Sequence, residues 1–162
     1  RRGEDADAGA LVVASRSPLG PWQLSSIASA GHEHVTAHRR PRVAIISTGS
    51  ELIRPGGTPT RGQIPESNSV LLASAVRASG AAVTEVHTVA DDAETLRRVL
   101  DAVDADVVIL SGGASVGAFD IVKAVLGGER GVRFDSVAMQ PGKPQGFGVG
   151  SEIGRASCRE RV

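Results

Sequence analysis

Ser111-Gly112-Gly113-Ala114-Ser115-Val116-Gly117-Ala118-Phe119-Asp120 lies between an unbroken apolar run, Val107-Val108-Ile109-Leu110, and a helix-like run from Ile121 to Leu126. The order is strand, small-residue loop, helix. In an open α/β sheet such loops bind ligands, because they sit off the carboxyl ends of strands. Gly112, Gly113 and Gly117 lack a Cβ, so a ligand can approach the backbone closely. Their amides, with the start of the following helix, form an anion site. Asp120 is the one charge in the stretch. Three glycines, two serines and an aspartate in one loop favour a ligand site. The alternative is a tight turn with Asp120 as helix N-cap.

Working outward, strands and helices alternate from Arg42 to about Val149. Val43-Ala44-Ile45-Ile46 is apolar without alternation, as a central parallel strand should be. Pro55 to Glu66 is irregular and rich in Gly and Pro. Ser67 or Asn68 caps a helix whose inner face carries Leu71, Leu72, Ala75 and Val76, and Gly80 stops it. Val83 to Val89 is the second strand. Asp91, with Glu94 three residues on, reads as the capping box of the next helix, lined by Leu96, Val99, Leu100 and Val103. Strand three is Val107 to Leu110. Val132 to Val137 reads as a fourth strand and Gln145 to Val149 as another. Between them Met139-Gln140-Pro141-Gly142-Lys143-Pro144 forms a conformationally restricted loop. The alternation predicts an α/β fold of three layers, α/β/α, with a mostly parallel sheet.

The flanks differ. Leu11-Val12-Val13 reads as a short strand. Pro21 opens a helix with Leu24, Ile27 and Ala28 on one face and Gly31 as its cap. His32 to His38 alternates as a strand. Its three histidines, His32, His34 and His38, lack the carboxylate or cysteine that would complete a metal set. Arg39-Arg40-Pro41-Arg42 marks a boundary. Residues 1–40 are therefore expected to be part of a neighbouring domain and residues 41–150 the α/β domain. Glu152 to Val162 has neither helical nor strand period and resembles the conceptual translation of a sequencing-adapter oligonucleotide. Residues 151–162, Cys158 included, are expected to be non-native and outside the fold.

Composition excludes several function classes. Of 162 residues, 18 are basic and 18 acidic, so no net field draws the chain to nucleic acid or to a membrane. One Trp, three Phe and no Tyr argue against stacking platforms for bases. Cys158 is the single cysteine, which excludes an intrachain disulfide and a cysteine-based zinc site. No apolar run reaches membrane-span length and no signal peptide is visible, so a cytoplasmic location is expected.

Three loops now stand together: Thr48-Gly49-Ser50-Glu51-Leu52, Ser111 to Gly117, and Pro141-Gly142-Lys143-Pro144. With Gly62-Gln63-Ile64, Asn68 and Asp91-Asp92 between them, the chain from Arg1 to Gly150 resembles the molybdopterin molybdenumtransferases, whose animal relative is gephyrin. The resemblance implies a molybdopterin-binding domain within a longer, homodimeric parent. It implies a reaction in which adenylated molybdopterin and molybdate yield the molybdenum cofactor and AMP, assisted by Mg²⁺. It implies substrate binding by Thr48, Gly49, Asn68, Ser111, Gly112, Gly113, Ser115, Gly117, Pro141, Gly142 and Lys143. It implies catalysis and metal binding by Glu51, Asp91 and Asp120, which follow strands one, two and three and so are expected to share one edge of the sheet. Carboxylates there suit Mg²⁺ bridging phosphate oxygens, and Lys143 suits an oxyanion. Each acid also has a plainer reading: Glu51 as a solvated loop acid, Asp91 and Asp120 as helix caps.

The chain departs from the family at Ala118, where relatives often have an acid, and at Ser136 and Gln140, where many have lysine. A Met-Asp-Gly-Tyr-Ala-like stretch and a C-terminal β domain of the family are absent, so the chain alone is expected to be inactive. The alternatives are an adenylyltransferase of the same pathway, whose loop usually reads Thr-Gly-Gly-Thr-Gly, a nucleotide-processing relative of competence-damage type, or a gephyrin-like scaffold.

Overall fold

A computed structural model describes residues 6–112, 121–128, 131–139, 144–149 and 159–161. The chain divides into two units, Arg1–Arg39 with Cys158–Val162, and Arg40–Ser157.

In the first unit, α1 (Pro21–Ser29) begins with proline at its first helical position after Gly20. It ends where Gly31, at φ +85°, lets the amides of Gly31 and His32 reach the carbonyls of Ala28 and Ile27. The shared face of Leu24, Ile27 and Ala28 is not buried: α1 has no buried residue, and Trp22 and Leu24 are exposed. Leu11-Val12-Val13 forms no strand. β1 (Thr36–His38) pairs antiparallel with Arg159–Arg161, the last strand of the chain. Those three residues belong to the stretch expected outside the fold. Strand pairing is made by backbone groups at an open edge, so it needs no side-chain period.

The second unit carries the alternating strands and helices of the α/β fold. Its elements run β2 (Arg42–Thr48), β3 (Leu52–Ile53), β4 (Ile64–Pro65), α2 (Asn68–Ala78), β5 (Ala82–Val89), α3 (Ala93–Ala102), β6 (Val107–Ser111), α4 (Ile121–Leu126), β7 (Val132–Ser136) and β8 (Pro144–Gly148). The main sheet has the order β5-β2-β6, both pairings parallel. β2 is central and buried from Val43 to Thr48, which is why it reads as an unbroken apolar run. Its side chains alternate between two cores. Val43 and Ile45 meet Ala73 and Val76 of α2, while Ile46 meets Val89, Leu96 of α3, and Val122 and Val125 of α4. Helices thus cover both faces.

The main sheet stops at three strands among the described residues. β7 does not extend it but pairs antiparallel with β8 in a separate two-stranded ribbon. The expected fourth strand is therefore one arm of a hairpin rather than part of the main sheet. Its burial alternates, as expected for a ribbon solvated on one side.

Candidate functional site

Because β2, β5 and β6 are parallel, Thr48, Val89 and Ser111 end on the same edge of the sheet. The loops beyond them are tied to one another by named hydrogen bonds. The Gly49 amide donates to the Val89 carbonyl at 3.0 Å. Ser50 and Asp91 form a reciprocal pair: the Ser50 amide donates to the Asp91 carboxylate, and the Asp91 amide donates to Ser50 Oγ, each at 3.0 Å. The Asn68 side-chain amide donates to Ser111 Oγ at 3.0 Å. Short β3–β4 pairing brings the Pro55-to-Glu66 excursion back, with Ile64 and Glu66 amides on the carbonyls of Glu51 and Ile53.

Two glycines are forced by close approach. Gly112 has φ +90°, and a Cβ there would lie 2.2 Å from the Thr48 carbonyl oxygen and 3.1 Å from Thr48 Oγ1. A Cβ on Gly49 would lie 2.8 Å from both carboxylate oxygens of Glu51, so the Glu51 side chain folds back over the Gly49 backbone. Thr48 is only 3% exposed, and its hydroxyl has no hydrogen-bond partner among the described residues. A buried hydroxyl without a partner is costly, and beside a glycine loop it is a ready donor or acceptor for a ligand.

Of the residues expected to form the site, Thr48, Gly49, Asn68, Ser111 and Gly112 come together at this edge, with Glu51 and Asp91 on the adjoining loops. Gly113, Ser115, Gly117, Asp120, Pro141, Gly142 and Lys143 lie outside the described residues, as do Ala118 and Gln140. Asp91 is not the cap that its spacing to Glu94 suggested. Asp92 is the N-cap, its carboxylate accepting from the Thr95 amide at 2.7 Å. Hydrogen bonds from the Thr95 side chain and backbone hold the Asp92 carboxyl below its ordinary range. This leaves Asp91, one residue earlier, to bridge to Ser50. Among the described residues no three His, Cys, Asp or Glu side chains group as a metal site. Glu51 and Asp91 do not make a cage alone.

The residue that the sequence did not single out is Glu66. It is 3% exposed, and its carboxylate accepts from Ser47 Oγ at 3.1 Å, from the Ser69 amide at 2.8 Å and from Ser69 Oγ. Burial alone would raise its pKa, but the Ser69, Ser47 and Asn68 donors together outweigh that and hold it below the ordinary 4.5. An acid two residues before a helix is a recognisable sign of an N-terminal carboxylate. Here it was hidden at the end of a Gly- and Pro-rich loop.

A family described as a probable molybdopterin binding domain matches residues 44–161, which include the strands and helices of the site apart from the first two residues of β2. The chain belongs to this family. Molybdopterin molybdenumtransferase 2 of Mycobacterium tuberculosis is 47% identical to the domain over 156 residues, 91% of this chain and 38% of that protein. The molybdopterin molybdenumtransferase of Haemophilus influenzae is 35% identical over 150 residues, 91% of this chain and 37% of that protein. Among solved structures, the molybdopterin biosynthesis MoeA protein of Pyrococcus horikoshii superposes with a TM-score of 0.72 at 34% identity, over 90% of this chain and 36% of that one. The domain therefore spans less than two-fifths of the length of these curated relatives. Its sequence resemblance to the molybdopterin molybdenumtransferases and its α/β fold are both established by these matches. No helix among the described residues is long and apolar enough to cross a membrane.

Proposed function

We propose that this domain binds adenylated molybdopterin for molybdenum insertion, the molybdenum cofactor and AMP being the products. The reading is supported chiefly by the linked strand-end loops around the buried Thr48 hydroxyl, which has no hydrogen-bond partner among the described residues, where Asp91–Ser50 and Asn68–Ser111 fix neighbouring segments against one another. Loop amides suit phosphate oxygens, and the Thr48 and Ser111 hydroxyls and the Asn68 amide suit a polar pterin. Gly113, Ser115 and Gly117 extend the same loop in sequence, and Pro141, Gly142 and Lys143 supply an oxyanion partner for phosphate or molybdate.

Glu51 and Asp91, with Asp120, would hold Mg²⁺. When bound, the ion offsets negative charge on the phosphoanhydride as it is cleaved. The protein's own contribution is positional. Ser50 holds the Asp91 carboxylate on one side, and the Glu51 side chain lies against Gly49 on the other. The longer protein is proposed to act as a homodimer in the cytoplasm.

Two results test this. The chain of residues 1–162 by itself is expected to give no turnover when adenylated molybdopterin, molybdate and an apo-molybdoenzyme are combined; cofactor formation by it would contradict the expectation. In a longer parent, Asp120→Asn keeps helix-capping ability but removes the charge. Cofactor formation is then expected to fall by roughly two orders of magnitude, a loss of a few kcal/mol of transition-state stabilisation. Unchanged activity in a normally folded variant would remove Asp120 from the site and leave it a helix cap.

A further inference from the structure

We propose that Glu66 is a positioning residue, its carboxylate clamping the end of β2 to the start of α2 so that Asn68 is held against Ser111 at the mouth of the glycine loop. The inference rests on the functional reading above only for its ligand-binding arm.

An ordinary helix cap does not require this arrangement. Ser67 occupies the N-cap position of α2, yet its side chain makes no capping bond. The amide of Ser69 is satisfied instead by a carboxylate buried in the protein. Burying a charge is unfavourable unless several donors compensate it, and a solvent-exposed serine or aspartate would cap without that penalty. What the buried position adds is a second attachment. Glu66 Oε1 accepts from both Ser69 N on α2 and Ser47 Oγ on β2, while Oε2 takes the Ser69 hydroxyl. Ser47 is the register partner of Ser111 on β6. Asn68, between the clamped Glu66 and Ser69, donates to that same Ser111. The main-chain amide of Glu66 is fixed as well, by the Ile53 carbonyl. One carboxylate thus joins the central strand to the helix on either side of the Asn68–Ser111 contact, and Gly112 follows Ser111 directly.

The test compares Ser47→Ala, Glu66→Gln and Glu66→Ala in residues 1–162, by amide resonances of Ser111, Gly112 and the Asn68 side chain and by affinity for molybdopterin. Ser47→Ala cuts only the strand attachment and leaves the Ser69 bonds that cap α2, so a residue that merely caps would leave the Asn68 and Gly112 resonances where they are. The clamp requires that they move, and that molybdopterin affinity weakens about tenfold, equivalent to about 1.4 kcal/mol. Glu66→Gln, which keeps an acceptor at Oε1 for both attachments, is expected to retain the wild-type resonances and affinity. Glu66→Ala should reproduce the Ser47→Ala displacement where it folds; Ser47→Ala keeps the inference testable where it does not. Wild-type Asn68 and Gly112 resonances in Ser47→Ala overturn the proposal. Absence of molybdopterin binding to the wild type would instead overturn the functional reading, and the resonance comparison would still decide the clamp.

Discussion

Gly112→Ala is expected to lower the unfolding free energy by at least about 2 kcal/mol, and Gly80→Ala by only about 1 kcal/mol. Both glycines have nearly the same positive φ, +90° at Gly112 and +88° at Gly80. They differ in what a side chain would meet. At Gly80, which closes α2, nothing lies within 4 Å of an added Cβ; at Gly112 the Thr48 carbonyl oxygen is 2.2 Å away. Thr48 ends the buried central strand and cannot withdraw without disturbing β2. The difference between the two variants therefore isolates the close approach from the left-handed backbone. Urea unfolding of both, at matched m-values, measures it. Equal losses would mean that the glycine loop yields to a side chain and that its contact with Thr48 is loose.

The second large effect is at Glu66. Truncation to alanine strips the Ser69 amide and the Ser47 and Ser69 hydroxyls of their acceptor in a buried setting, with an expected loss of about 3 kcal/mol. Glutamine, which keeps the shape, should lose less. The pH dependence has a definite sign. Because the folded-state pKa lies below 4.5, the ionised carboxylate contributes stability that is fully present above that value and is lost as pH falls through the folded-state pKa. The stability advantage of wild type over Glu66→Gln should thus be greatest near neutral pH and shrink as the pH falls below 4.5. A constant difference across that range would mean that the carboxylate is not preferentially ionised in the folded protein.

What the sequence disclosed depended on the kind of signal. The unbroken Val43-to-Ile46 run announced a strand covered on both faces, and the two cores fed by Val43, Ile45 and Ile46 explain why those positions are apolar. Glycines at helix ends were equally readable, because Gly31 and Gly80 adopt the positive φ their positions require. Pairing direction was not readable. Val132 to Ser136 has strand character whether it extends a parallel sheet or folds into a hairpin with Pro144–Gly148. Adjacent acids were ambiguous for a different reason. Asp91 and Asp92 each have a partner three residues on, Glu94 and Thr95, and only the backbone decides which one caps α3. The site edge was legible from the alternation of strands and loops. The ties across it, Ser50 to Asp91 and Glu66 to Ser47, join residues 41 and 19 positions apart and leave no local trace.

The most direct measurement is a titration of isotopically labelled residues 1–162 with molybdopterin, followed by amide resonances. Saturable shifts are expected at Thr48 through Glu51, Asn68, Asp91, and Ser111 with Gly112, which meet at the carboxyl edge of β2, β5 and β6, and at Gly113 to Gly117 and Gly142 and Lys143, which the proposal assigns to the same site. No saturable binding, or shifts centred on α1 with that edge unmoved, would contradict the assignment of the site.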